Sequence, residues 1–96
     1  MPSYVILGKY TLQGIRNIKA TTKRAEAFRD LAKRMGVKVK EIYWTMGQYD
    51  IVTIIDAPND ATASRLLLAA GSKGNVQTET LRAYSANEIG KILKGI

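Results

Sequence analysis

Two residue types with wide chemical uses, cysteine and histidine, are missing from this 96-residue chain. Without cysteine the chain can form no disulfide and no thiolate site for a metal ion. Without histidine it lacks the most common general base at neutral pH and the usual imidazole ligand of zinc. We therefore expect no metal site and no cofactor, and any catalysis would depend on tyrosine, tryptophan, asparagine and arginine side chains.

Long apolar runs are missing as well. No run approaches the roughly 18 residues that a membrane-spanning helix needs, and residues 1–5 lack the basic region that opens a secretory signal. We expect a cytoplasmic protein without a membrane partner. A chain of 96 residues is long enough for one small hydrophobic core, so we predict a single domain over residues 1–96.

The net charge of +7 is unevenly distributed along the chain. Residues 1–48 contain ten Lys and Arg against three Asp and Glu, whereas residues 49–96 contain five of each sign. The excess lies between Arg16 and Lys40, and such a basic region can bind nucleic acid or another anion. Glu26 and Asp30 interrupt it, and the predicted third strand offers no aromatic residue on which bases would stack. A solvated helix face is the simpler interpretation, and we expect no nucleic-acid partner.

Hydrophobic periodicity predicts four strands and three helices. The strands are predicted at residues 4–10, 37–46, 50–56 and 76–84, and the helices at residues 22–35, 60–70 and 86–96. In the connection at residues 11–22 we allow for a helical turn at residues 14–20, and residues 85–88 form a capping box before the third helix. The core residues predicted on the inward faces of the first two helices are Phe28, Leu31, Ala32, Met35, Ala63, Leu66, Leu67 and Ala70. The order β-α-β-β-α-β with a short C-terminal helix is that of the ferredoxin-like fold. We therefore predict an α+β protein whose antiparallel sheet carries both main helices on one face.

Two local features refine the second strand. Its apolar residues change from odd to even positions near Lys40 and Glu41, which predicts a β-bulge there. The strand leads into Gly47 and Gln48. We predict a tight two-residue turn of type II′ at this pair, with a positive φ at Gly47.

The two central strands of the predicted sheet are apolar on both sides, but helices can cover only one side. A second copy of the chain, packed sheet against sheet around a two-fold axis, would bury the other side. We therefore predict a homodimer, or a larger oligomer built from it, with Val5, Leu7, Val52 and Ile54 as interface candidates. In the alternative, the C-terminal helix covers the open face and the protein is a monomer.

Several segments are similar to those of the GYD domain family. The turn at residues 47–50 reads Gly-Gln-Tyr-Asp, and further similar segments lie at residues 10–11, 13–17, 24–26, 43–45, 57–58, 74–76 and 78–83. The resemblance covers roughly residues 4–85. It implies a ferredoxin-like subunit that pairs into a dimeric α/β barrel, and it implies no particular activity.

Five residues are candidates for binding a small anionic or aromatic ligand: Tyr4, Trp44, Tyr49, Asp50 and Arg82. Tyr49 and Asp50 would lie at a pocket mouth, with Asp50 as a polar anchor or base, although turn formation alone also explains both. Trp44 is the only tryptophan, and a large aromatic residue on a strand face belongs more often to a core or an interface. Arg82 lies among apolar strand residues and needs a carboxylate or an anionic ligand as its partner. We assign no catalytic residue.

The sequence leaves three functions open. The favoured one is a small dimeric module of a ligand-binding, interaction or regulatory kind, without catalytic chemistry. The alternative is a cofactor-free oxygenase or isomerase that acts on a small aromatic substrate between helices and sheet; it requires a deep pocket and a polar group with a shifted pKa. The third is nucleic-acid binding through the basic region, which rising ionic strength would weaken steeply.

Overall fold

The structure is a computed structural model that describes all 96 residues. Its strands are β1 Ser3–Tyr10, β2 Lys38–Trp44, β3 Ile51–Asp56 and β4 Val76–Ala83. Its helices are α1 Leu12–Arg16, α2 Thr21–Arg34, α3 Asp60–Gly71 and α4 Ala86–Leu93, with a 3-10 turn at Ile18–Ala20. The predicted α+β class and order of elements are confirmed. Helix α1 and the 3-10 turn lie in the first connection, for which the sequence allowed a helical turn at residues 14–20. None of the helices has the length and apolar character needed to cross a membrane.

All four strands form one antiparallel sheet in the order β2-β3-β1-β4. Strand β1 is central and pairs along its whole length with β4, from Ser3 opposite Ala83 to Tyr10 opposite Val76. On its other side β1 pairs with β3. This is the ferredoxin-like arrangement that the order of elements predicts.

One face of the sheet is covered by α2 and α3. Tyr4, Ile6 and Ile55 lie on this face and are at most 3% exposed. They pack in one cluster with Ala32 of α2 and Leu66 of α3. Ala63 and Leu67 of α3 belong to the same cluster, and Phe28, Leu31 and Met35 from the predicted inward side of α2 pack against it. Removing these side chains from water is the main favourable term in the folding of such a small domain.

The predicted β-bulge is present in β2. Val39 lies opposite Ile55 and Glu41 lies opposite Ile54, so Lys40 is the extra residue of the bulged strand. The inserted residue explains why the apolar positions change phase. Val39 faces the helices before the bulge, and the even-numbered residues Ile42 and Trp44 face them after it.

The hairpin between β2 and β3 has a wider turn than the sequence predicts. Gly47 has the expected positive φ of 107°, but the strands are separated by residues 45–50 and not by two residues. The turn is closed by Thr45, whose amide donates to the Asp50 carbonyl at 2.8 Å and whose hydroxyl donates to the Tyr49 carbonyl at 2.6 Å. The type II′ prediction was therefore wrong in length and right about the conformation of Gly47.

The second face of the sheet, called here the open face, has no helix over it. Its centre is formed by Val5, Leu7, Val52 and Ile54, which are half-buried by their neighbours in the sheet. The predicted capping box at the start of α4 is present, with Ser85 and Glu88 bonded to each other's backbone amides. No residue of α4 is buried, so in this structure α4 does not pack over the open face.

Candidate functional site

The five candidate ligand-binding residues lie in three separate places. Tyr4 and Arg82 lie opposite each other at one end of the sheet. Asp50 lies at the other end, beside the last residues of β1, while Tyr49 contacts residues of the open face. Trp44 lies at the end of β2 on the helix side. The five residues therefore do not form one site, and their role in ligand binding stays a prediction.

Tyr4 and Arg82 join α3 and α4 to the sheet. The Tyr4 hydroxyl donates to Asp60 Oδ1 at 2.5 Å, and burial together with this bond raises the pKa of Tyr4. The Arg82 guanidinium donates to backbone carbonyls at the sheet end. It also lies 4.4 Å from the centre of the Tyr84 ring and 3.7 Å from the Glu88 carboxylate. The partner that Arg82 requires is thus supplied from within the chain, by α4.

Asp50 is occupied by the backbone of β1. Its Oδ2 atom accepts from the Tyr10 amide at 2.9 Å, and its own amide donates to the Gly8 carbonyl at 2.8 Å. A carboxylate that accepts a backbone N–H at the end of a strand satisfies a donor that the sheet leaves free. This geometry is the structural role that turn chemistry alone suggests for the residue.

Tyr49 points along the open face toward β4. Its hydroxyl donates to Glu79 Oε2 at 3.2 Å, which raises the pKa of Tyr49. The Lys9 ammonium lies 5.3 Å from the centre of its ring, within the range of a cation–π contact. Tyr49 therefore adds an aromatic edge to the open face and does not border the same space as Trp44.

A cavity of about 150 Å³ lies between α2, α3 and the sheet. Most of its lining is apolar and comes from all three layers, including Ile6, Phe28, Leu31, Ile42, Ile51 and Leu67. Trp44 lies at its edge and is 45% exposed. The indole N–H of Trp44 donates to Thr21 Oγ1 at 3.1 Å, and the Tyr10 hydroxyl bonds the same oxygen at 2.8 Å. Of the five candidates, Trp44 alone lines this cavity.

Several of the segments that are similar to the GYD domain family are in contact with one another beside the cavity. Gly14 packs so closely on Asn75 that a Cβ at Gly14 would lie 2.0 Å from the Asn75 carbonyl oxygen. The Thr11 amide donates to the same carbonyl at 3.1 Å. Arg24 of α2 donates to the carbonyls of Asn17 and Gly14 at 2.8 and 3.3 Å. These contacts fix the first connection against the start of β4.

Sequence reasoning missed several residues of the cavity. Phe28 and Leu31 were assigned only to the core, because the periodicity of α2 shows which side is inward and not whether that side is fully packed. Gly8 carried a usable signal, since a glycine inside a strand often marks a bulge or a close approach. Arg24 carried a weak signal, because it lies in the basic region between Arg16 and Lys40 and in one of the segments similar to the GYD domain family. Lys73 carried none, because it lies in a stretch that reads as solvated surface.

The open face and α4 together form the main apolar surface of the chain. Three apolar residues of α4 and one that follows the helix are spaced at i, i+3, i+4 and i+7 and are at least 41% exposed: Ile89, Ile92, Leu93 and Ile96. We call this row the α4 stripe. No group of three or more acidic residues is arranged to hold a metal ion.

Comparison with known proteins gives one family and one informative relative. A family model described as GYD domain matches residues 4–93. The chain is similar to a protein from Thermus thermophilus named glutamine synthetase and cystathionine beta-lyase binding protein. The two are 32% identical over 90 residues, which cover 93% of this chain and 95% of the relative.

Solved structures are similar to this one in fold. A crystal structure of a Thermus thermophilus protein matches with a TM-score of 0.64 at 22% identity, over 90% of this chain and 96% of that chain. The crystal structure of FFRP-DM1 matches with a TM-score of 0.61 at 20% identity, over 88% of this chain and 100% of that chain. At these identities the likeness concerns the fold alone.

Proposed function

This chain belongs to the GYD domain family, and we propose that it is a cytoplasmic, homodimeric interaction module that binds metabolic enzymes and catalyses no reaction itself. The module is one domain formed by residues 1–96. Support for enzyme partners comes from the relative named glutamine synthetase and cystathionine beta-lyase binding protein, which aligns with nearly the whole chain. The two enzymes in that name define the class of partner to be tested.

The observation that carries the proposal is the α4 stripe. Ile89, Ile92, Leu93 and Ile96 stand at positions i, i+3, i+4 and i+7, and none of them is buried. This spacing is that of an amphipathic helix which places its apolar side in a groove of another protein. A helix that exposes such a row gains by burying it, whereas a helix of a self-contained monomer normally buries it within its own fold. We assign the α4 stripe to the enzyme partner.

The homodimer accounts for the open face. The chain exposes 6421 Å², whereas a compact monomer of its 10.6 kDa mass exposes about 5,500 Å². Its radius of gyration is 14.3 Å, against about 12.5 Å for a compact chain of this length. The chain is therefore more extended than a compact monomer of its mass, and this supports burial of part of its surface against another chain. We propose that a second copy covers Val5, Leu7, Val52 and Ile54.

The alternative function, a cofactor-free oxygenase or isomerase, is favoured only by the existence of the cavity. No carboxylate, tyrosine or histidine is among the residues that line it. Polar candidates elsewhere are bonded within the chain, as Tyr4 is to Asp60 and Asp50 is to the Tyr10 amide. Proton transfer needs an acid or base within hydrogen-bond reach of the reacting group. The lining therefore supports binding better than catalysis.

The proposed binding to enzymes is tested by titrating the protein into purified glutamine synthetase and cystathionine beta-lyase from its own organism, and binding is measured by calorimetry. We expect at least one enzyme to bind. Ile92→Asp, in the α4 stripe, should weaken that binding at least tenfold, because it would place a charge in the apolar contact. Asn87→Asp adds the same charge at another position of α4 and should bind like the parent. Absence of binding by both enzymes, or equal binding by the two variants, would refute the assignment.

The dimer part is tested separately by native mass spectrometry and light scattering. We expect a dimer that Val52→Asp converts to a monomer, because the substitution would bury a charge between the two open faces. Gln48→Asp introduces the same charge in the exposed hairpin turn and should leave the dimer intact. A monomeric parent protein at concentrations of about 50 µM, well above the Kd of a stable dimer, would refute the dimer and leave the enzyme-binding result unaffected.

A further inference from the structure

We propose that the cavity between α2, α3 and the sheet binds a small carboxylate that carries one phenyl-sized apolar group. This inference goes beyond the interaction function and does not depend on it. It follows from the volume of the cavity, from the absence of a side chain at Gly8 and from the charges that line the space.

The volume of the cavity matches one ring. Protein interiors are close-packed, and voids larger than a water molecule are few. A cavity of about 150 Å³ lined by leucine, isoleucine and phenylalanine is large enough for a benzene-sized molecule. Ile6, Phe28, Leu31 and Leu67 supply this kind of lining here. A single ring or a branched chain of similar size fits this volume.

Gly8 keeps this space open. It is buried within β1, where the pairing with β4 runs on to Tyr10 without a register shift and the pairing with β3 ends, also without a shift, at Gly8 opposite Ile51. Its φ does not lie in the left-handed region. A Cβ at this position would meet Ile51 Cβ at 3.7 Å, the Ile51 carbonyl oxygen at 3.5 Å and Thr78 Cγ2 at 3.8 Å, which are ordinary contacts.

Neither backbone conformation nor crowding therefore explains why β1 has a glycine at this position. A glycine inside a strand weakens the strand unless it marks a bulge, a bend or a place where another group approaches closely. The absence of a register shift at Gly8 on either side of β1 excludes the bulge. The remaining explanation for the glycine is a group that approaches Gly8 from the helix side of the sheet, where the cavity lies.

The charged residues that line the cavity are both cations. Arg24 and Lys73 line it, and no Asp or Glu does. The Arg24 guanidinium uses two N–H groups on the carbonyls of Asn17 and Gly14, and a guanidinium has five donors in total. Lys73 forms no ion pair. An arginine that is already held in place and retains free donors suits a planar carboxylate, and the nearby lysine adds a second positive charge.

Trp44, at the edge of the cavity, allows ligand binding to be followed by fluorescence. Trp44 lines the cavity and is the only tryptophan of the chain. A ring that enters beside it would make the edge or offset contacts that aromatic pairs prefer. Binding at this site should therefore change the fluorescence of Trp44 directly.

The test titrates the full-length protein with phenylacetate and follows Trp44 fluorescence, with calorimetry as a second readout. We expect saturable binding of one phenylacetate per chain with a Kd at or below about 1 mM, the range for a ligand of ten non-hydrogen atoms. Acetate, which lacks the ring, should not bind measurably. Benzyl alcohol, which keeps the ring and lacks the charge, should bind at least tenfold more weakly. No saturable binding of phenylacetate, or equal binding of benzyl alcohol, would overturn the proposal.

Two variants locate the site. Gly8→Val fills the cavity with a residue that favours strands and should abolish phenylacetate binding. Its thermal unfolding is measured in parallel to show that it is folded. Lys73→Gln lies on exposed surface, does not endanger the fold, and should weaken phenylacetate binding several-fold while leaving the weak binding of benzyl alcohol unchanged. If both variants bind phenylacetate like the parent protein, the ligand lies elsewhere and the proposal fails.

Discussion

Replacement of Gly14 by alanine tests the closest backbone approach in the molecule. The new Cβ would lie 2.0 Å from the carbonyl oxygen of Asn75, and Cβ atoms essentially never lie within 3.0 Å of such an atom. Helix α1 and the start of β4 would have to separate by about 1 Å, which strains two hydrogen bonds. These run from the Thr11 amide to the Asn75 carbonyl at 3.1 Å and from the Thr11 hydroxyl to the Gly74 carbonyl at 2.5 Å.

The expected loss of stability is about 2–4 kcal/mol. Overpacking costs about 1–3 kcal/mol and each of the two weakened hydrogen bonds about 1 kcal/mol. Against this, alanine favours a helix over glycine by about 1 kcal/mol. For a domain of this size the loss corresponds to a fall in melting temperature of about 10–30 °C. Because dimerisation would make the melting temperature depend on protein concentration, all variants are compared at one concentration.

Thermal unfolding followed by circular dichroism is the assay, and Gly71→Ala is the matched control. A Cβ at Gly71 would meet no atom within 4 Å and its φ is not left-handed, so this variant should melt within a few degrees of the parent, about 1 kcal/mol or less in stability. If Gly14→Ala melts at the same temperature as Gly71→Ala, the close packing of α1 on β4 does not constrain the fold as we argue.

Three further predictions concern ionisation and register. Because the pKa of Tyr4 is raised, the folded state keeps a proton that the unfolded state releases near pH 10. The free energy of unfolding should therefore fall above about pH 10. In the variant Tyr4→Phe this free energy, measured by urea unfolding, should fall less steeply between about pH 10 and 11. Deletion of Lys40 should remove the bulge and leave Trp44 on the helix side of the sheet. Tryptophan emission should stay unchanged, and the loss of stability should be at most about 1 kcal/mol. An unfolded product would refute the register between β2 and β3 described above. A backbone N–H of the α4 cap lowers the pKa of Glu88. The charged Glu88 side chain therefore stabilises α4 above about pH 4.5, and this stabilisation is lost as the pH falls through the lowered pKa. Chemical shifts of the Glu88 carboxylate that titrate at the ordinary pKa would contradict the prediction.

Features that depend on neighbouring residues in the chain could be predicted from the sequence. The bulge followed from the change of apolar phase around Lys40, and the capping box from the spacing of Ser85 and Glu88. The width of the hairpin turn could not be predicted in this way. Asp50 is bonded through its amide and its carboxylate to β1, some forty residues earlier in the chain. These long-range bonds hold Asp50 outside a two-residue turn, and no local pattern contains that information.

The candidate site was less accessible from the sequence than the fold. Tyr4 and Asp50 both lie at ends of the sheet, but periodicity shows only the face of a residue and not the end at which it meets others. The cavity depends on how far apart α2 and α3 lie on the sheet, which is set by the sizes of many contacting side chains. The sequence did not show that Trp44 lines the cavity, because this depends on the position of β2 in the sheet. The open face was predictable, because alternation along β1 and β3 shows it directly.

The central position of β1 has a consequence for synthesis of the protein. Of the four strands β1 is made first, yet one of its edges is paired by β4, Val76–Ala83, which is made after the other three. While the chain grows on a ribosome, that edge of an apolar strand stays unpaired, and unpaired edges attract other chains. We expect a fragment that ends at residue 75 to aggregate when expressed, and to become soluble when a peptide of residues 76–96 is supplied with it. Premature termination would therefore be more harmful to this protein than loss of the same number of residues from a loop.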